Sequence, residues 1–108
     1  MPTDGTLAVN EYIFLMMNDA TETRVAADEQ RWATYMKFLR QSGQFDGGSE
    51  IGCGERLSKS GATSPADAHL TGYIRVRATS IEDAKRFLIG NPVYEAGGTV
   101  EIRELPQE

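Results

Sequence analysis

The stretch EYIFLMMN, Glu11 to Asn18, constrains this chain more than any other. Side chains alternate between the faces of an extended strand, so Tyr12, Phe14 and Met16 share one side and Ile13, Leu15 and Met17 the other. Both sides are apolar, and such a strand is usually buried on both faces. The chain has 108 residues, enough for one compact domain. The strand is therefore expected at the centre of a sheet, with helices on one side and something else on the other. Tyr12, Phe14 and Met16 are the side expected to meet a second copy. Left exposed together they would form a patch that monomers seldom tolerate, and a standard interface of about 1,600 Å² would remove it.

The remaining elements follow from periodicity. In DEQRWATYMKFLRQSG, Trp32, Tyr35, Met36 and Leu39 recur at three- and four-residue steps on one helical stripe. Asp28 and Glu29 sit early, Lys37 and Arg40 late, and Gly43 offers a C-terminal stop. A glycine- and serine-rich stretch follows, read as a short strand around Phe45 to Cys53 and a long excursion to about Asp67. HLTGYIRVRA alternates, with Leu70, Ile74, Val76 and Ala78 opposed to His69, Thr71, Tyr73, Arg75 and Arg77. Ser80 is a natural N-cap for a second helix with Ile81, Ala84, Phe87 and Leu88 as its apolar stripe. Gly90 stops that helix, Pro92 bars its continuation, and Val100 to Leu105 closes the chain as a strand. The order is β-α-β-β-α-β, an α+β ferredoxin-like sandwich with an antiparallel sheet. Residues 1–8 read as a flexible N-terminal tail and 9–108 as a single domain.

Charge narrows the partners. Sixteen acidic residues against 11 basic give a net charge of -5, which argues against nucleic acid and against a polybasic membrane contact. The longest apolar run is too short to span a bilayer, and no signal-peptide layout opens the chain. Cys53 is the only cysteine, so no intrachain disulfide can form, which fits a cytoplasmic protein.

Two segments carry a resemblance. SIEDAKRFLIGNPVYEAGGTVEIRELP and WATYMKFLRQSGQFDGGS resemble the YCII-related (YciI-like) proteins, and the likeness runs from about Tyr12 to Leu105. It implies small ferredoxin-like domains that pair sheet to sheet into a homodimer, the dimeric α+β barrel. Members with an assigned catalytic centre use a histidine on the first helix and the aspartate of an Asp-Pro turn. Those positions here are Trp32 and Asn91, and neither an indole nor an amide can act as the acid or base. A branch with Asp-Gly-Pro-Phe before the third strand is also departed from, since this chain has SPADAHL there.

The polar strand face is the main candidate for chemistry. Arg75, Arg77 and Arg103 could clamp a carboxylate or phosphate, and His69 and Tyr73 are the candidates for proton transfer. The competing reading gives these charges to solvent or to salt bridges between subunits. Ser49 is a further ligand candidate, and Trp32 and Asn91 are expected to border a pocket. GGSEIGCGE does not fit a phosphate loop, because its glycines do not open a helix in Gly-x-Gly-x-x-Gly order. One histidine and one cysteine make no zinc site, and no cofactor is implied. Two functions are expected to compete. One is binding or transformation of a small acidic or aromatic metabolite in a pocket near the dimer interface. The other is a non-catalytic dimeric regulatory or interaction domain.

Overall fold

The computed structural model describes residues 9–107. The tail expected over residues 1–8 lies outside them. Four strands form one antiparallel sheet in the order β2-β5-β1-β6, with β1 (Asn10–Met17) and β5 (Leu70–Ala78) central and β2 (Phe45–Glu50) and β6 (Val100–Leu105) at the edges. Helix α2 (Glu29–Ser42) crosses one face, accompanied by the single-turn helices α1 (Thr23–Ala26), α3 (Ile81–Ala84) and α4 (Pro92–Glu95). This is the ferredoxin-like arrangement, with the first and third strands of the basic order side by side at the centre.

Capping fixes α2. The Asp28 carboxylate accepts the Arg31 backbone N–H at 3.1 Å, and the left-handed Gly43, at φ 74°, ends the helix. Tyr35 and Leu39 from this helix pack with Tyr12, Phe14, Ile74, Val76, Ala84 and Phe87. Burying each of the larger apolar side chains stabilises the fold by roughly 1.5–3 kcal/mol. Ser80 caps α3 by accepting the Asp83 N–H at 3.0 Å, and Asp83 accepts the Thr79 N–H at the same distance.

Several expectations change on contact with this architecture. Tyr12, Phe14 and Met16 are the buried side of β1, and they face the helices rather than a second copy. Ile13 and Leu15, both half-buried, are the side left uncovered, while Met17 follows the register shift and joins the lining of the candidate ligand cavity. Ile81 stands exposed, because its helix lasts one turn before tightening into a 3-10 turn at Lys85–Leu88. The Asn-Pro pair starts a helix as well as following one. Asn91 caps α4 by accepting the Tyr94 N–H at 3.0 Å, and Pro92 takes the first helical position, where no N–H is needed. The long excursion holds a hairpin of its own, β3 (Glu55–Leu57) with β4 (Thr63–Pro65), forming a separate two-stranded sheet. Every residue in it is exposed, and the radius of gyration, 16.2 Å, exceeds the roughly 13 Å of a compact chain this size. The hairpin is an arm projecting from the body.

Candidate ligand cavity

Toward one end of the sheet, the helix-covered face runs out of side-chain bulk. On β2 and β5 the helix-facing positions there pair Gly48 with Ile74 and Glu50 with Gly72. A bulge between Phe45 and Gly48, eased by Gly47 at φ 100°, brings β2 close to β5. A Cβ on Gly48 would lie 2.4 Å from the Tyr73 carbonyl oxygen, so only glycine permits this approach. Gly72 leaves bare sheet beside the Met16 methyl group, which a Cβ would meet at 3.1 Å. Beneath α1 and the first half of α2 this leaves a half-open cavity of about 800 Å³. Such a volume lies within the range of small-molecule sites.

Trp32 and Met36 form the helical wall. They belong to the same stripe as Tyr35 and Leu39, so the helix shares one apolar side between the cavity, at Trp32 and Met36, and the core, at Tyr35 and Leu39. The indole N–H of Trp32 donates to the Ala26 carbonyl at 2.7 Å, and its ring meets Tyr35 edge-on at 6.0 Å between centroids. With its one donor satisfied, Trp32 offers the cavity an apolar π surface held in place. Asn18, Thr23, Ser49 and Thr71 and the exposed Glu29 and Glu50 are polar residues of the lining. The Thr71 hydroxyl donates to the Met16 carbonyl at 3.2 Å, where the β1–β5 register shifts between Met16 and Met17.

The residues expected to form a site divide into four places. Trp32 borders the cavity, and Ser49 and Tyr73 are strand positions in its lining although strand parity puts their side chains on the face of Arg75. Asn91 is fully buried one layer away. Its amide nitrogen lies 3.6 Å from the Met16 sulfur, and Met16 in turn lines the cavity. Asn91 is thus occupied in capping α4 rather than facing a ligand. His69 sits beyond the register shift, exposed, with Nδ1 3.4 Å from the Asn18 side-chain oxygen and away from the cavity lining. Next to it, hydrogen bonds from the Thr99 hydroxyl and N–H hold the Asp19 carboxyl below its usual range. Tyr35, the buried phenol of α2, donates to the Phe87 carbonyl at 2.7 Å, and burial pushes its pKa up to about 12. It stays protonated near neutrality.

The arginines are on the other side of the sheet. Arg75 lies opposite Ile13, Arg77 opposite Glu11, and Arg103 opposite Ile13 from β6, all on the uncovered face. Arg77 Nε reaches both Asp46 carboxylate oxygens at 3.0 Å, Arg75 donates to the Asp46 carbonyl at 2.7 Å, and Arg103 pairs with Glu101 at 3.2 Å. Within one subunit the sheet separates them from the cavity, because strand parity sends their side chains the opposite way from Ile74 and Val76. The three arginines therefore do not line the cavity between sheet and helices.

Sequence reasoning did not single out Glu29, Glu50 and Gly72 as site residues. The available signal was Gly72 itself, a gap in the inward set of an otherwise regular alternation. Among the described residues no three His, Cys, Asp or Glu side chains are grouped to hold a metal ion, and Cys53 is exposed. No described helix is long and apolar enough to cross a membrane.

No protein-family model matches the chain, and no curated protein matches it either. Among solved structures it is similar to 5-chloro-2-hydroxyhydroquinone dehydrochlorinase (TftG) from Burkholderia phenoliruptrix AC1100, in complex with 2,5-dihydroxybenzoquinone. The TM-score is 0.56 at 11% identity, with 94% of this chain and 96% of that one covered. The likeness agrees with the ferredoxin-like α+β fold and its antiparallel sheet. A second structure, the hydroxynitrile lyase of Passiflora edulis, aligns over 93% of this chain and 94% of that one at 14% identity, with a TM-score of 0.37. At that score it carries no weight in the argument. At 11% identity the likeness to the dehydrochlorinase bears on fold alone.

Proposed function

We propose that this protein is a YCII-related homodimer that binds a small aromatic metabolite in the cavity between its sheet and α2. The observation that carries the reading is the glycine-floored cavity of about 800 Å³ walled by Trp32, Met36 and Met16. An aromatic ring stacks favourably on an indole and on polarisable thioethers, and the bare floor at Gly48 and Gly72 suits a flat molecule. The dehydrochlorinase of like fold, whose complex contains a dihydroxybenzoquinone, agrees with a ligand of that shape. Binding is the proposed activity. The acid-base pair of catalytic relatives is replaced by Trp32 and Asn91, one satisfied by Ala26 and the other engaged in a helix cap.

Dimerisation is proposed through the uncovered sheet face. Ile13 and Leu15 make its apolar centre, rimmed by Tyr73, Arg75, Glu101 and Arg103. Subunits paired there would bury the half-exposed strip of β1. The interaction-domain reading draws less support, because Arg77 and Arg103 already have carboxylate partners within their own subunit.

Trp32 is the only tryptophan, so its emission reads the cavity directly. Titration with phenethyl alcohol and with catechol should give a saturable shift in that emission. Gly72→Leu, which fills the floor, should abolish the shift with the circular dichroism spectrum intact. A response that never saturates, or that is equal in Gly72→Leu, would sink the reading.

A further inference from the structure

Resting on the cavity reading, we propose that the site selects small organic cations, an amine or amidine on an aromatic body, over the corresponding acids. The argument is the charge inventory of the lining. Glu29 enters from the first turn of α2 and Glu50 from the edge strand β2, and no lysine, arginine or histidine lines the cavity. Neither carboxylate makes an ion pair or a side-chain hydrogen bond among the described residues. The other acidic groups near basic side chains are engaged: Asp46 with Arg77, Asp83 with Arg86, Glu101 with Arg103. Two unpaired carboxylates on exposed residues of one cavity's lining repel an anion and attract a cation, an effect that salt weakens.

The Trp32 ring works in the same direction. Its N–H is committed to Ala26, so it has no donor left for a carboxylate, whereas the π face attracts a positive charge. The Met16 and Met36 thioethers likewise offer no donors. Of the polar donors in the lining, the Thr71 hydroxyl already donates to the Met16 carbonyl, the Ser49 hydroxyl to the Glu50 carbonyl and the Asn18 amide to the Ala68 carbonyl. The ligand best matched to these walls puts a flat apolar body against Trp32 and the glycine floor and its ammonium group between Glu29 and Glu50.

The test uses the full chain and three probes of one skeleton: phenethylamine, phenethyl alcohol and phenylacetate. Each is titrated by NMR at pH 7 at low and at high salt. The amine should bind about tenfold tighter than the alcohol and the acid more weakly than either, with the amine's advantage shrinking in salt. In the Glu29→Gln/Glu50→Gln double variant the amine should lose its tenfold advantage over the alcohol, and with it the salt dependence of that advantage. Equal affinity of the three probes overturns charge selection and leaves the cavity reading standing. Tighter binding of phenylacetate overturns it too. If none of the three perturbs the Trp32 and Met36 signals, the cavity reading fails and the cation proposal fails with it.

Discussion

The two faces of the sheet are made from the same four strands, yet they have become different surfaces. On the covered face, Phe14 and Val76 are wholly buried and Tyr12 and Ile74 nearly so. On the open face, Ile13 and Leu15 lie in the same strand as Tyr12 and Phe14 but are ringed by Arg75, Glu101 and Arg103. β1 is apolar both ways and cannot by itself say which side the helices take. Its neighbours decide: β5 presents Ile74, Val76 and Ala78 to one side and Tyr73, Arg75 and Arg77 to the other. The helices go where all central strands agree on apolarity. The dissenting face keeps an oily centre with a charged rim, the anatomy of an interface rather than of a core.

That contrast can be broken most forcefully at adjacent positions. Phe14→Ala should cost about 3–5 kcal/mol of stability by opening a core cavity. Leu15→Asp should leave the monomer's fold largely intact and shift the oligomer to monomer in sedimentation. If Leu15→Asp unfolded the chain, or sedimentation were unchanged, the assignment of faces to core and dimer would be wrong. The two glycines of the cavity floor sharpen the contrast within the covered face. Gly48→Ala, with backbone 2.4 Å from the new methyl, should destabilise by about 1–3 kcal/mol in chemical denaturation. Gly72→Ala meets only the mobile end of Met16 and the Ser49 carbonyl at 3.3 Å, and should change stability by at most about 1 kcal/mol.

The smallest effects belong to pH. Asp19 and Asp83 have folded pKa values below the ordinary 3.8, mainly through hydrogen bonds from Thr99 and Thr79 respectively. Their contribution is full above the unfolded value and is lost as pH falls through the lowered folded values. Melting temperature should therefore drop below about pH 4, and less steeply in Asp19→Asn. At the alkaline end the sign reverses for Tyr35. Its pKa is raised to about 12, so its stabilisation is present below 10 and lost as pH climbs from there.

How legible all this was in the sequence varied with the range of the interactions involved. The α2 boundaries were readable because Asp28, Gly43 and the stripe from Trp32 to Leu39 are local signals. β5 was readable from its alternation, and the sheet order followed from the element order. Which face of β1 turned inward was not, since it depends on β5 lying alongside. The arm at Glu55–Pro65 escaped because its strands are three residues each and exposed on both sides, leaving no period to detect. Helix α4 was missed because Asn-Pro signals a helix start as well as a stop. The cavity was the least visible feature. It exists because Glu50 pairs with Gly72 and a bulge precedes Gly48, and that register is set only in three dimensions.

The sheet order has a consequence for how the chain comes into being. β1 is made first among the strands, but its partners begin only at Leu70 and Val100. Until then a segment that is oily on both sides leaves the ribosome with both edges unpaired. Such distant pairings close slowly, and the waiting strand is what a nascent chain must keep from finding another copy of itself. A chain stopped after α2 would carry that strand with neither of its neighbours.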